Sequence, residues 1–118
     1  MRSLVTIRHR RDFRAAGRAR WFQTKSVIVQ ARDRRDGLPD VRLGLTCSRK
    51  VGNAVARNRS RRRLREAARI VLGDVGRSGW DYVLIGKPGT TATCRFDRLL
   101  ADLRHAVEKV HLGRERSR

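Results

Sequence analysis

From Val41 to Ser48 the chain alternates strictly. Val41, Leu43, Leu45 and Cys47 fall on one side and Arg42, Gly44, Thr46 and Ser48 on the other, the two-residue period of a half-buried strand. The second face is polar and small-sided, a surface on which another backbone or a nucleic acid can lie close. Ser26 to Ala31, SVIVQA, is short and β-branched and reads as an earlier strand. Trp80 to Gly86, WDYVLIG, is apolar almost throughout, which predicts a central strand. Helical spacing governs two longer stretches. Between Arg95 and Leu112 one stripe holds Phe96, Leu99, Leu100, Leu103, Ala106, Val107 and Val110, closed by Gly113. Leu64, Ala67, Ala68 and Val71 form a narrower stripe, extended by the small groups of Ser60 and Ala56, with Gly52-Asn53 as turn and N-cap.

A short helix over residues 9–16 has Phe13 and Ala16 on its apolar side and is expected to stop at Gly17. Residues 1–8 read as an extended lead-in that touches the core. The stretch ARDRRDGLPD (31–40) reads as an exposed, replaceable turn, Gly73, Gly76 and Gly79 as punctuation before Trp80, and Lys87-Pro88-Gly89 as a turn. The order is helix, strand, strand, helix, strand, helix. It predicts an α/β (α+β) two-layer sandwich, one small central sheet with packed helices. The 118 residues fit one domain, 1–118, with a basic frayed tail at about 113–118. With 39% hydrophobic residues, the chain can build one modest core but not also a large enclosed substrate cavity.

Charge changes the picture. Six of the nine residues from Arg57 to Arg65 are arginine, and Arg57, Arg59 and Arg61 each face another arginine four residues on. Like charges at that spacing repel, and within the segment only Glu66 offsets them. A solvated helix face normally mixes signs, so a polyanion is the natural counterion. The formal net charge is +19, of which residues 1–25 carry +7 and residues 49–69 carry +8. A charge of this size points to nucleic acid or an anionic membrane surface, and its distribution focuses binding on those two stretches. Trp21 and Phe22 stand among Arg18, Arg20 and Lys25, the aromatic-with-cation mixture that single-stranded RNA uses; they serve equally well as anchors of the first strand. Phe13 likewise suits either the core or a ligand groove.

Catalytic groups are scarce. The acidic residues are scattered singly, and His9, His105 and His111 are isolated, so neither a carboxylate pair nor an acid-base histidine is in view. No phosphate-loop, dinucleotide or zinc spacing occurs. Cys47 and Cys94 lie far apart and read as small core residues in a reducing cytosol. No apolar run is long enough for a signal or membrane segment, so a cytoplasmic location is expected.

The run KVGNAVARNRSRRRLREA closely resembles the signature of the protein subunit of bacterial ribonuclease P. The resemblance covers roughly residues 8–110 and is strongest at 43–67. It implies a left-handed crossover between parallel strands, against the general right-handed rule. It implies RNA chemistry: an RNA subunit holds the Mg²⁺ ions and cuts the 5′ leader from precursor tRNA, while the protein binds no metal and raises substrate affinity. Arg57, Asn58 and Arg59 match the Arg-Asn-Arg motif that meets the catalytic RNA. Arg61, Arg62, Arg63 and Arg65 continue that helix, and Arg49, Lys50 and Asn53 form its approach. The leader is expected in a cleft between the first helix and the sheet, on Phe13 with Arg10, Arg14, Trp21, Phe22, Thr46 and Ser48. Two departures bear on that cleft. Gly17 stands where many relatives have a second aromatic, and SVIVQA lacks an aromatic often found in the first strand; Trp21 and Phe22 are the candidates to compensate. The free protein is expected to be monomeric, with no DNA or membrane partner.

Three rivals make different demands. A ribosomal or architectural protein would bind ribosomal RNA or duplex DNA without affecting tRNA maturation. An autonomous nuclease would cut without an RNA subunit, and a membrane-active protein would need a broad apolar helix face that residues 54–72 lack.

Overall fold

The computed structural model describes residues 4–113, so the expected tail beyond Gly113 lies outside the described residues. Five strands form one mixed sheet in the order β1-β4-β5-β3-β2. They are β1 (Leu4–Thr6), β2 (Arg20–Gln23), β3 (Val27–Asp33), β4 (Val41–Thr46) and β5 (Trp80–Gly86). The apolar run Trp80–Gly86 takes the central place, parallel to β4 and antiparallel to β3. Within the expected lead-in, whose residues 1–3 lie outside the described residues, β1 is an edge strand parallel to β4. The α-helices among the described residues are α1 (Arg10–Ala19), α2 (Ala54–Val75), α3 (Thr90–Thr93) and α4 (Phe96–His111).

Side chains of alternate parity divide the sheet into two unlike faces. On one, Val27, Val29, Ala31, Val41, Leu43, Tyr82 and Leu84 pack against Leu64, Ala67, Ala68 and Val71 of α2 and Leu99, Leu103, Ala106, Val107 and Val110 of α4. These are the two stripes read from the sequence. The opposite face is not bare. Ile7, Ala16 and Val83 make a second, smaller cluster there with Phe13 and Ile85, so α1 adds a partial third layer to the expected sandwich.

Several local expectations give way to longer-range packing. Helix α1 does not stop at Gly17 but runs to Ala19. A Cβ at Gly17 would lie 3.3 Å from Nε2 of Gln30, so the glycine lets the helix rest closely on β3. Likewise α2 passes through Gly73 to Val75, where Gly76 donates its N–H to the carbonyl of Leu72. The segment holding Trp21 and Phe22 is a strand, antiparallel to β3.

Residues 31–33 of the expected turn belong to β3, and the rest, exposed from Arg35 to Asp40, is pinned by one residue. Its Arg34 side chain is only 3% exposed and donates to the carbonyls of Leu38, Asp40 and Trp80 and to the carboxylate of Asp81. Asp81, fully buried, also accepts from Arg32 at 3.0 Å and Arg42 at 2.7 Å. Burial alone would raise its pKa, yet the hydrogen bonds from Arg42 and Arg34 hold the carboxyl below its ordinary range. Asp12 of α1 joins the same group, 3.2 Å from Arg32 and 3.5 Å from Arg42.

Candidate nucleic-acid interface

Helix α2 begins as the sequence predicts. Asn53 is its N-cap, its Oδ1 accepting from the Ala56 N–H at 2.9 Å, which satisfies one of the donors a helix start leaves open. Because Ser60, Leu64, Ala67 and Ala68 are buried, the residues between them turn outward. Among the described residues Arg57, Arg59, Arg61, Arg62 and Arg65 meet no carboxylate. Glu66, the one acid in this part of the helix, is taken up by Arg69 at 3.0 Å. Asn58 accepts from Arg61 at 3.3 Å, which orients that guanidinium on a hollow lined by Asn58, Arg61, Arg62 and Arg65.

Arg63 differs from its neighbours. Its Nη2 donates to the Cys94 carbonyl, and its guanidinium lies over the Phe96 ring, 5.9 Å from the centroid. It fastens α2 to the joint between α3 and α4. Before α2, Arg49 and Lys50 are exposed in a single 3₁₀ turn. Ser48 caps that turn, its side chain accepting from the Lys50 N–H at 3.2 Å, and is itself exposed.

The α1 face of the sheet reads as rows across the strands. The pairings align Arg42, Asp81 and Arg32 in the first row, then Gly44, Val83, Gln30 and Trp21, then Thr46, Ile85, Ile28 and Gln23. Helix α1 touches the first row through Asp12 and the second through Phe13 and Gly17. Beside it the third row forms an open strip, with Ile85 and Ile28 half-buried and Thr46 and Gln23 exposed. Arg10 and Arg14 are exposed on α1. Trp21, across from Gln30, falls on this face. Phe22 falls on the other, packed against the main core with its ring 5.4 Å from that of His105, which removes it from the cleft.

The structure therefore gathers Phe13, Arg10, Arg14, Trp21 and Thr46 on one face, and the arginines of α2 on a helix packed against the other. The exposed Arg49-Lys50 turn links them at the end of β4. Ile28, Ile85 and Gln23 were missed in the sequence, because their shared face becomes visible only once strand register is known.

His105 is exposed, and His111 is half-buried, its Nε2 2.6 Å from the Tyr82 hydroxyl. No group of three or more His, Cys, Asp or Glu residues suited to a metal occurs among the described residues. Both cysteines are free, with burial raising the pKa of Cys47. No helix is long and apolar enough to cross a membrane.

A sheet backed by two helices, with arginines that meet no carboxylate among the described residues along one helix and an open, half-apolar strip on the other face, defines a basic α+β domain suited to nucleic acid. Comparison with known proteins narrows the class. The Ribonuclease P family model matches residues 1–111. The ribonuclease P protein component of Ruegeria pomeroyi is 60% identical over 109 residues, covering 92% of this chain and 87% of that protein. That of Caulobacter vibrioides is 46% identical over 101 residues, covering 86% and 67%. Among solved structures, the ribonuclease P protein of Thermotoga maritima aligns with a TM-score of 0.71 at 28% identity, covering 85% of this chain and 92% of that one. The Staphylococcus aureus protein shares the fold, with a TM-score of 0.72 at 21% identity over 89% and 94%. The chain belongs to the ribonuclease P protein family, as a subunit of the enzyme of tRNA 5′ processing, with the ribonuclease P RNA as its partner.

Proposed function

We propose that the two faces divide the labour of that subunit. Arg57, Arg59, Arg61, Arg62 and Arg65 of α2, with Asn58, engage phosphates and riboses of the catalytic RNA, since guanidinium forks match phosphate oxygens. The strip beside α1 receives the 5′ leader of precursor tRNA. Phe13 and Trp21 border it, Ile28 and Ile85 form its floor, and Arg10, Arg14, Arg49 and Lys50 supply cations for its phosphates. The RNA holds the Mg²⁺ and performs the cleavage, and the protein raises affinity for the precursor at physiological salt. The free protein is monomeric and works in the cytoplasm.

The observation that carries this reading is the set of α2 arginines that meet no carboxylate among the described residues. The test is 5′ processing of a precursor tRNA at low Mg²⁺ and near-physiological salt, with a bacterial ribonuclease P RNA present or omitted. Cleavage that needs the RNA and is stimulated by the protein is expected. Cleavage by the protein alone would assign a protein nuclease. Tight RNA binding without stimulation would return the chain to a purely architectural role.

A further inference from the structure

The outer side of α2 faces a second wall that carries no charge. A groove of about 470 Å³ lies between Arg59, Arg62 and Arg63 of α2 and Ala92 and Thr93 of α3. A neighbouring hollow shares Arg62 and Arg63 and reaches Glu66 and Phe96. Glu66, the only carboxylate lining either hollow, is held by Arg69. The α3 wall, TTAT, consists of small neutral side chains, and the Thr93 hydroxyl donates to the Gly89 carbonyl.

Arg63 keeps the two walls apart at a set width. Its bond to the Cys94 carbonyl and its seat over Phe96 tie α2 to the segment that ends α3. Its Nε is buried and has no acceptor within the protein. The result is an open trough with guanidinium groups on one side and nothing anionic on the other. It suits a chain of phosphates better than a small apolar ligand.

We propose that this groove seats the phosphodiester backbone of the ribonuclease P RNA, with α3 as its far wall, so that α3 belongs to the RNA interface. The proposal rests on the reading of α2 as the RNA-binding helix. Ala92 is half-exposed, so a longer side chain there extends over the groove and tests the sign of the charge that the groove accepts. The affinity of the full chain for ribonuclease P RNA is measured for Ala92→Glu, Ala92→Lys and Arg59→Ala. Ala92→Glu is expected to weaken binding about tenfold, and Ala92→Lys to bind at least as tightly as the parent. Equal losses for both Ala92 variants would show only that bulk disturbs α3, and would overturn the proposal. No change in either, while Arg59→Ala weakens binding, would overturn the α3 wall and leave the α2 reading standing. Unchanged binding in all three would overturn both.

Discussion

The ring of Phe13 lies directly on the backbone of Gly44, so close that a Cβ there would fall 2.5 Å from the ring Cε1. The small-sided face of β4 thus serves the protein's own first helix before it serves any ligand. Gly44→Ala forces Phe13 and α1 outward, at a stability cost of about 1–3 kcal/mol from overpacking. Because the ring borders the proposed leader strip, affinity for precursor tRNA is expected to fall while affinity for mature tRNA and for the catalytic RNA holds. Thermal melts and binding with and without a leader check both parts. Equal losses for precursor and mature tRNA would separate Phe13 from the leader.

Asp81 is the second fixed point. Its fully buried carboxylate is shared by Arg32, Arg34 and Arg42, and removing one partner of such a group strands the others. Asp81→Asn is expected to destabilise the fold by about 3–5 kcal/mol, read as a lower urea midpoint. Arg34→Ala should cost a comparable amount, whereas Arg35→Gly in the same turn, at an exposed position whose φ of 55° glycine adopts freely, should cost under about 0.5 kcal/mol.

What was legible in the sequence follows from the range of each interaction. Asn53 caps a helix three residues away, and Leu64, Ala67, Ala68 and Val71 repeat within two turns, so α2 was read nearly to its end. Where α1 runs past Gly17 it lies close on Gln30, thirteen residues on, and nothing local announces that contact. Strand β2 is four residues with no turn glycine before it, and only pairing with β3 separates Trp21 from Phe22. Arg34 looked like loop charge because its partners Trp80 and Asp81 lie some 46 positions away. Asp81 did carry a signal, since one carboxylate inside a central apolar strand must find cations. Of the candidate site, the arginines of α2 were readable from their density alone, whereas the role of Arg63 depended on Cys94 and Phe96.

His111 gives the fold a measurable response to acid. The Tyr82 hydroxyl accepts from the Arg77 N–H at 2.9 Å and shares a hydrogen bond with His111 Nε2 at 2.6 Å, which ties the imidazole to the central strand. Burial first, then Arg77 and Arg20, lower its pKa to about 4. The unfolded chain, near 6.5, binds the proton more readily, so stability is full above about pH 6.5 and declines as the pH falls toward 4. Allowing for partial exposure, the loss should be about 1–2 kcal/mol. His111→Leu should flatten the urea midpoint across this window. The carboxyl of Asp81, held below 3.8, releases its own contribution only at lower pH.

The arginines of α2 are separable by the salt dependence of binding to the ribonuclease P RNA. Each phosphate contact contributes about 0.7–0.9 to the slope of log affinity against log salt. Arg57, Arg59 and Arg62 meet no carboxylate among the described residues, so replacing all three by alanine is expected to lower the slope by about 2–3 units while the melting temperature holds or rises as self-repulsion eases. Arg63 predicts the opposite pattern. Its guanidinium is engaged by the Cys94 carbonyl and the Phe96 ring, so Arg63→Ala should lower stability by about 1–2 kcal/mol and change the slope by less than about half a unit. A slope unaltered by the triple replacement would remove α2 from the RNA interface. A full unit lost with Arg63 would show that its guanidinium gives up the Cys94 carbonyl for a phosphate when the RNA binds.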